Sequence, residues 1–204
     1  MIELRKPFPF HEAPRVWAWS QEFRHMVQDD FGPQTLEAYI EDWRAQEALL
    51  NAFPQFKARV HGIDVHFLHV PGKGPDPKPL LLMHGWPGSV FEFVDLIPRL
   101  TDPAAFGGDP ADAFTVVAPS LPGFGLSFAP GQKRFSVEEM AECLHDLMTG
   151  ALGYRRYAAQ GGDYGAIISS RMGYAHPAPL IGIHINLLSV RRDRPPPAQP
   201  TPAT

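Results

Sequence analysis

One carboxylate and its two flanking glycines suggest the chemistry of this chain. The stretch GGDYG, residues 161–165, places Asp163 where an apolar strand is predicted to turn sharply into a helix. Small residues two positions before and after a central side chain permit a turn tight enough to expose that side chain. An exposed carboxylate at such a turn is suited to nucleophilic attack.

The choice of Asp over Ser at position 163 indicates the kind of bond attacked. A Ser oxygen that attacks a saturated carbon leaves a stable ether, whereas a carboxylate leaves an ester, which water can hydrolyse. Hydrolysis at the carboxyl carbon restores the Asp if donors stabilise the oxyanion that forms there. Asp163 therefore predicts opening of an epoxide or displacement of a halide, and not cleavage of an ester or amide.

A second motif, HGWPGS at residues 84–89, follows directly on a short apolar strand. A loop in this position can supply backbone N–H groups to an oxyanion. We expect the amides of Trp86 and Tyr164 to be these donors. Gly85 lets the backbone come close, and Pro87 stiffens the loop without removing a needed donor.

The predicted substrate-binding residues come from this loop and from the next one, PSLPGFGLS at residues 119–127. They are His84, Gly85, Pro87 and Phe124. For Phe124 a packing role in a structural loop is the competing interpretation, and the sequence favours it.

Taken in order, HGWPGS, APSLPGFGLS and GGDYGA resemble the α/β-hydrolase-fold epoxide hydrolases, specifically the microsomal and juvenile-hormone branch. LLNAFPQFKARVHGIDVHFLHV, residues 49–70, is similar to the end of that branch's N-terminal extension. The resemblance implies that Asp163 opens a small-molecule epoxide without a cofactor or metal, and that Trp86 and Tyr164 supply the oxyanion amides. The residue after the nucleophile is commonly Trp in the family and is Tyr164 here.

The family also uses a His with an acidic partner to activate water, and two tyrosines on a helical cap. These follow the sixth strand in the family, which is where we expect this chain to end. No histidine or acid present is predicted to lie on a suitable loop; those considered are His84, His145, His176, His184 and Asp193. We therefore expect this chain to lack its base, acid and cap, and to be alkylated once at best without turnover.

Alternating strands and helices are predicted to position the motifs. The strands are a hairpin at 59–70 and runs at 79–85, 114–120, 155–163 and 180–188; the helices are 89–100, 136–152 and 164–174. Ser136 and Glu139 are spaced as a capping box. Regular alternation with apolar strands predicts an α/β fold, a mostly parallel sheet covered by helices on both faces. The resemblance implies an α/β-hydrolase fold, and we expect it to lack the cap and the last strands.

Three segments are predicted. Residues 1–57 form a helical N-terminal extension, residues 58–190 the first part of the hydrolase domain, and residues 191–204 a disordered proline-rich tail. Strand 180–188 would then be an apolar edge, which favours self-association.

The composition of the chain restricts which binding partners and which cellular compartment we expect. A net charge of -4 gives no reason to expect nucleic acid or an anionic membrane. The single cysteine excludes an internal disulfide, and the N-terminus has no apolar signal run, so we expect a cytoplasmic protein. Two other interpretations stay open: a haloalkane or haloacid dehalogenase, which would share the ester chemistry of Asp163, and a non-catalytic remnant.

Overall fold

The structure is a computed structural model that describes residues 2–4, 45 and 47–187 of the chain. Its strands are β1 (Ile2–Leu4), β2 (Gln55–Val60), β3 (Ile63–Val70), β4 (Lys78–Met83), β5 (Phe114–Pro119), β6 (Tyr157–Gly161) and β7 (Leu180–Ile185). Its α-helices are α1 (Leu96–Thr101), α2 (Val137–Asp146) and α3 (Tyr164–Ala175). Single helical turns of 3-10 type stand at Val90–Phe93, Pro103–Phe106, Pro110–Asp112 and Gly125–Ser127, and a π turn at Leu147–Ala151 extends α2.

The strands form one sheet in the order β1-β2-β3-β5-β4-β6-β7. Strands β5, β4, β6 and β7 are parallel, and β1, β2 and β3 join them in antiparallel pairs. The predicted hairpin at 59–70 is confirmed as β2 and β3, with His61 and Gly62 at φ 48° and 80° in its turn. Positive φ at both turn residues matches the right-handed twist of the strands.

Helices cover both faces of the sheet, as predicted. Strand β4 illustrates why its sequence is continuously apolar: Leu81 and Met83 pack in one cluster with α2 and α3, while Leu80 and Leu82 pack in another with Val90–Phe93 and α1. A strand buried on both faces cannot alternate apolar and polar residues. The α/β fold class is confirmed.

The predicted helix at 89–100 is wrong as a single element. The chain forms a 3-10 turn at Val90–Phe93 and begins α1 only at Leu96. Pro98 is the physical reason, because it has no N–H to donate four residues back and its ring would clash there. Starting the helix at Leu96 puts Pro98 in the first turn, where a missing N–H leaves no helical bond unmade.

The other helices agree with the sequence. Helix α2 has the full capping box: Ser136 Oγ accepts from the Glu139 N–H at 3.2 Å, and Glu139 Oε2 accepts from the Ser136 N–H at 2.9 Å. Strand β7 ends at Ile185, earlier than predicted, and residues 186–187 continue without strand pairing. Most of the predicted N-terminal helices and all of the predicted tail at 191–204 lie outside the described residues, whereas residues 47–51 are helical. None of the described helices has the length and apolar character needed to cross a membrane.

Candidate active site

The two glycine motifs meet because their strands are neighbours. Strands β4 and β6 are parallel and paired, with Met83 opposite Gly161, so the loops that follow them start side by side. After β4 the chain turns to one side, toward β5, and then crosses back to the other side, to β6. Ligands of open α/β sheets bind at such a reversal of strand order, beyond the carboxyl ends of the strands.

Asp163 lies at a strained turn between β6 and α3. Its backbone has φ 48° and ψ −119°, a region that a residue with a side chain rarely adopts. Such a conformation costs about 1–3 kcal/mol and persists only where the surrounding structure enforces it. The side chain is exposed beyond the turn, as a nucleophile requires.

Two glycines make that turn possible by close backbone packing. A methyl group on Gly161 would overlap the backbone of Gly165, and a methyl group on Gly165 would overlap the carbonyl oxygen of Met83. Any larger residue at either position would push the start of α3 away from β4. The small residues around the predicted nucleophile are therefore required by contact distances.

The HGWPGS loop reaches the carboxylate through its backbone. The Trp86 N–H donates to Asp163 Oδ1 at 2.9 Å. Gly85 makes this approach possible, because a methyl group there would lie 2.5 Å from Asp163 Cβ. The amide of Tyr164 is the first of α3, where an N–H has no partner within the helix. The two amides that we expected to face an oxyanion thus lie on the loop and the helix that flank Asp163.

His84 is buried, and its ring is bonded inside the protein. Its Nε2 accepts from the Leu121 N–H at 3.1 Å, so its Nδ1 carries the proton and donates to Gly85 O at 2.9 Å. Burial lowers the pKa of His84, which keeps the ring neutral. The residue is 1% exposed, so the ring that was predicted to bind substrate is packed inside the protein. Instead it ties the loop after β4 to the loop after β5.

Phe124 and the exposed aromatic residues form the surroundings of the carboxylate. The Phe124 ring packs edge-on to His84 at 6.1 Å and lies 5.9 Å from the Tyr164 ring. Phe124 is half-buried, so the structure gives it the packing contacts that the sequence favoured. Trp86 is 66% exposed and Tyr164 37% exposed. Pro87 is exposed, and the Trp86-Pro87 peptide bond is cis.

A buried polar network that the sequence did not reveal holds the loop carrying Phe124. His66 Nε2 donates to Gln55 Oε1, and His66 Nδ1 accepts from Ser120 Oγ, both at 3.0 Å. The Ser127 hydroxyl accepts from the His66 N–H at 2.9 Å and donates to Ser120 O at 2.7 Å. Both ends of the loop, residues 120 and 127, are thereby fixed to β3. The sequence around His66 does not alternate apolar and polar residues, because β3 is buried on both faces at that point, so the pattern gives no sign of the network.

Glu92 is a second carboxyl group near Asp163 that the sequence analysis missed. The residue is exposed, its carboxylate lies near the Gly85 N–H, and it is close enough for the charge of Asp163 to act on it. Partial burial of the carboxylate, as the largest cause, and the charge of Asp163 raise the pKa of Glu92, while the nearby Gly85 N–H lowers it. The only sequence signal is its position three residues after HGWPGS.

The other histidines considered as bases make contacts elsewhere. The rings of His145 and His176 are stacked at 3.9 Å, with His145 bonded to Tyr157 Oη and His176 to Glu142. His184 lies in β7 opposite Gln160. Among residues 47–187, none of these imidazoles is hydrogen-bonded to Asp163. Within the same residues no group of three or more His, Cys, Asp or Glu side chains is placed to hold a metal ion.

Comparison with known families gives matches along most of the chain. A family profile described as "Epoxide hydrolase N terminus" matches residues 16–93, and one described as "alpha/beta hydrolase fold" matches residues 78–185. A Stigmatella aurantiaca protein provisionally named an epoxide hydrolase is 50% identical over 145 residues, which is 71% of this chain and 33% of that protein. Epoxide hydrolase 1 of Oryctolagus cuniculus is 41% identical, over 74% of this chain and 34% of its own length.

Solved structures agree. The juvenile hormone epoxide hydrolase of the silkworm Bombyx mori superposes with a TM-score of 0.69 at 29% identity, covering 92% of this chain and 53% of that one. The epoxide hydrolase of Aspergillus niger gives a TM-score of 0.63 at 29% identity, covering 98% of this chain and 49% of that one. The chain spans about a third of the length of the curated relatives it matches, 33% and 34% for the two above. The resemblance seen in the motifs is confirmed, and it disfavours the dehalogenase alternative.

Proposed function

The chain belongs to the α/β-hydrolase fold family, where its relatives are epoxide hydrolases, and we propose that it opens an epoxide ring by attack of Asp163. The substrate class comes from the names of those relatives. The residue that acts is inferred from the geometry of this chain. The observation that carries the proposal is the 2.9 Å hydrogen bond from the Trp86 N–H to Asp163 Oδ1.

In the first step Asp163 attacks a ring carbon. Because Oδ1 accepts the Trp86 amide, Oδ2 is the oxygen that attacks. A bond forms between Oδ2 and the carbon, the ring C–O bond breaks, and its electron pair stays on the departing oxygen, which takes a proton from solvent water to become a hydroxyl. The product is an ester of Asp163 that carries the hydroxyl on the neighbouring carbon. Attack by a carboxylate on a saturated carbon is the reaction for which this residue type is suited.

In the second step water attacks the ester at Cγ of Asp163. Negative charge develops on Oδ1, which already accepts the N–H of Trp86. Tyr164 supplies the second donor in this proposal, from the first turn of α3. Removing one such donor from an oxyanion site costs other enzymes about 10²–10³ in rate. Collapse of the intermediate releases a diol and restores the carboxylate.

The water in this second step needs a base, and residues 47–187 bring no imidazole to Asp163. We therefore expect the 204-residue chain by itself to form the ester and to release little diol. His84 is excluded as the base because both of its ring nitrogens are bonded to the backbone.

Incubation of the purified chain with styrene oxide tests both steps. Intact-protein mass spectrometry should find one adduct, peptide mapping should place it on Asp163, and the Asp163→Asn variant should show none. Diol is measured by chromatography in the same samples. An adduct that persists in Asp163→Asn would refute the nucleophile, and many equivalents of diol per chain would refute the expected arrest at the ester.

For partners, we propose a small-molecule epoxide and, in addition, a second copy of this chain at the edge of β7. Within the described residues β7 pairs only with β6, and Ile181 and Ile183 are exposed on it. An unpaired apolar strand edge is a template for pairing with another strand.

A further inference from the structure

Glu92 is a carboxylate beside Asp163 that the two proposed steps do not use. It lies in the 3-10 turn Val90–Phe93, directly after the HGWPGS loop. A methyl group on Gly88 would overlap Glu92 Oε1 and would come within 2.7 Å of Glu92 Cδ. The carboxylate therefore lies against Gly88 Cα, in the space that a side chain at position 88 would otherwise fill.

From that position the carboxylate lies beside two backbone groups of the loop, Gly88 Cα and the Gly85 N–H. The Gly85 N–H lies near this carboxylate and lowers the pKa of Glu92. Gly85 Cα packs against Asp163, since an added methyl group would lie 2.5 Å from Asp163 Cβ. Gly85 thus lies between the Glu92 carboxylate and Asp163. The next amide along the chain is that of Trp86, which donates to Asp163 Oδ1.

We propose that Glu92 is a positioning residue for ring opening, holding Gly85 so that the Trp86 amide stays on Asp163. Its effect on the rate rests on the proposed function, whereas its hold on Gly85 does not. Hydrogen bonds to a charged acceptor are shorter and stronger than those between neutral groups, so an ionised carboxylate is an effective anchor for a loop amide. Protonation of Glu92 weakens this anchor, and the raised pKa of Glu92 brings that change to a higher pH than for an ordinary Glu.

The first experiment tests the contact without any epoxide. In ¹⁵N-labelled chain we expect the Gly85 amide signal to shift with pH through a transition above 4.5, the ordinary pKa of Glu. In Asp163→Asn the transition should remain but move to lower pH, because the charge of Asp163 no longer acts on Glu92. In the double variant with Glu92→Gln it should vanish. A Gly85 signal that does not titrate in the parent or in Asp163→Asn would overturn the proposal.

The second experiment measures the rate of adduct formation with styrene oxide. We expect Glu92→Ala to slow it about tenfold, which equals about 1.4 kcal/mol. Glu92→Gln keeps an acceptor oxygen and should stay within about threefold of the parent chain, a difference below about 0.7 kcal/mol. Asp95→Asn is the matched control: Asp95 is exposed, as Glu92 is, but lies three residues farther from the loop, and we expect no change.

The pH profile of the rate separates positioning from a merely structural role. The parent chain should lose rate as the pH falls through the transition seen at Gly85, and Glu92→Gln should lack this component. If circular dichroism shows that Glu92→Ala does not fold, the pH profile of the rate in Glu92→Gln decides whether Glu92 positions the loop. A parent rate in Glu92→Ala, or identical profiles for parent and Glu92→Gln, would overturn the proposal. If the parent chain forms no adduct, the proposed function fails, and the Gly85 titration still decides on Glu92.

Discussion

Gly165→Ala is the substitution whose effect can be worked out most fully from the structure. The added methyl group would overlap Met83 O and would lie 2.9 Å from Met83 C and 3.0 Å from His84 O. All three atoms are backbone at the end of β4, which is paired on both sides, so none can give way easily. Overpacking of this kind typically costs about 1–3 kcal/mol.

A second effect opposes this cost. Replacing Gly by Ala in a helix interior stabilises by up to about 1 kcal/mol. Gly173→Ala measures that gain, because Gly173 lies in the same helix and its methyl group would meet chiefly the flexible end of the Ile183 side chain. The steric cost at position 165 is therefore the difference between the two variants.

We expect Gly165→Ala to be less stable than Gly173→Ala by about 2 kcal/mol, which is roughly 4–8 °C in Tm for a chain of this size. Urea unfolding followed by circular dichroism gives the free energies. Because the methyl group pushes α3 from β4, Gly165→Ala should also lose most of the adduct on Asp163, while Gly173→Ala keeps it. Equal stability and equal adduct formation in the two variants would refute the close-packing account of the elbow.

Three further predictions concern α2, its stacked histidine and the sheet edge. Burial, as the largest cause, and the neighbouring His176 lower the pKa of His145, so below about pH 6.5 the unfolded chain binds more protons there than the folded chain. The free energy of unfolding should therefore fall between pH 7 and pH 5, and fall less in His145→Gln; parallel urea titrations of the two chains check this. Ser136→Ala removes the acceptor for the Glu139 N–H and should destabilise by about 1 kcal/mol, measured by thermal unfolding, and an unchanged Tm would contradict the cap. Ile183→Lys should reduce self-association in sedimentation velocity, because a charge on an edge strand opposes pairing, and an unchanged distribution would exclude this edge.

Features that depend on residues close together in the sequence could be predicted from it. The capping box at the start of α2, the turn between β2 and β3 and the apolar run of β4 each arise from contacts within a few residues. The single helix predicted at 89–100 is wrong, because the apolar residues have helical spacing but Pro98 lacks the N–H that a continuous helix needs. The break between the 3-10 turn Val90–Phe93 and α1 is important for the site. It places Glu92 in a turn that packs against the HGWPGS loop, and not on a continuous helix.

The site shows the same division. Local sequence was enough to predict Asp163 as an exposed carboxylate, with glycines that allow its turn, because backbone sterics over five residues decide this. His84 was predicted to bind substrate, yet its ring points inward to Leu121, a residue of the next loop. Glu92 and the His66 network were not predicted at all, since nothing in the adjacent residues signals their partners.

What the sequence determined by itself is therefore the exposed carboxylate of Asp163 at its glycine turn, for which it predicts attack on a saturated carbon, and the order of strands and helices. The Trp86 amide was an expected donor, but only the tertiary structure decided that it contacts Asp163 Oδ1 and which neighbouring groups surround the pair. The physical reason is that Trp86 and Asp163 lie 77 residues apart and come within 2.9 Å solely because β4 and β6 pair in parallel. Sterics and hydrogen bonds within a turn can be read along the chain, whereas contacts between loops depend on the pairing and packing of the whole sheet.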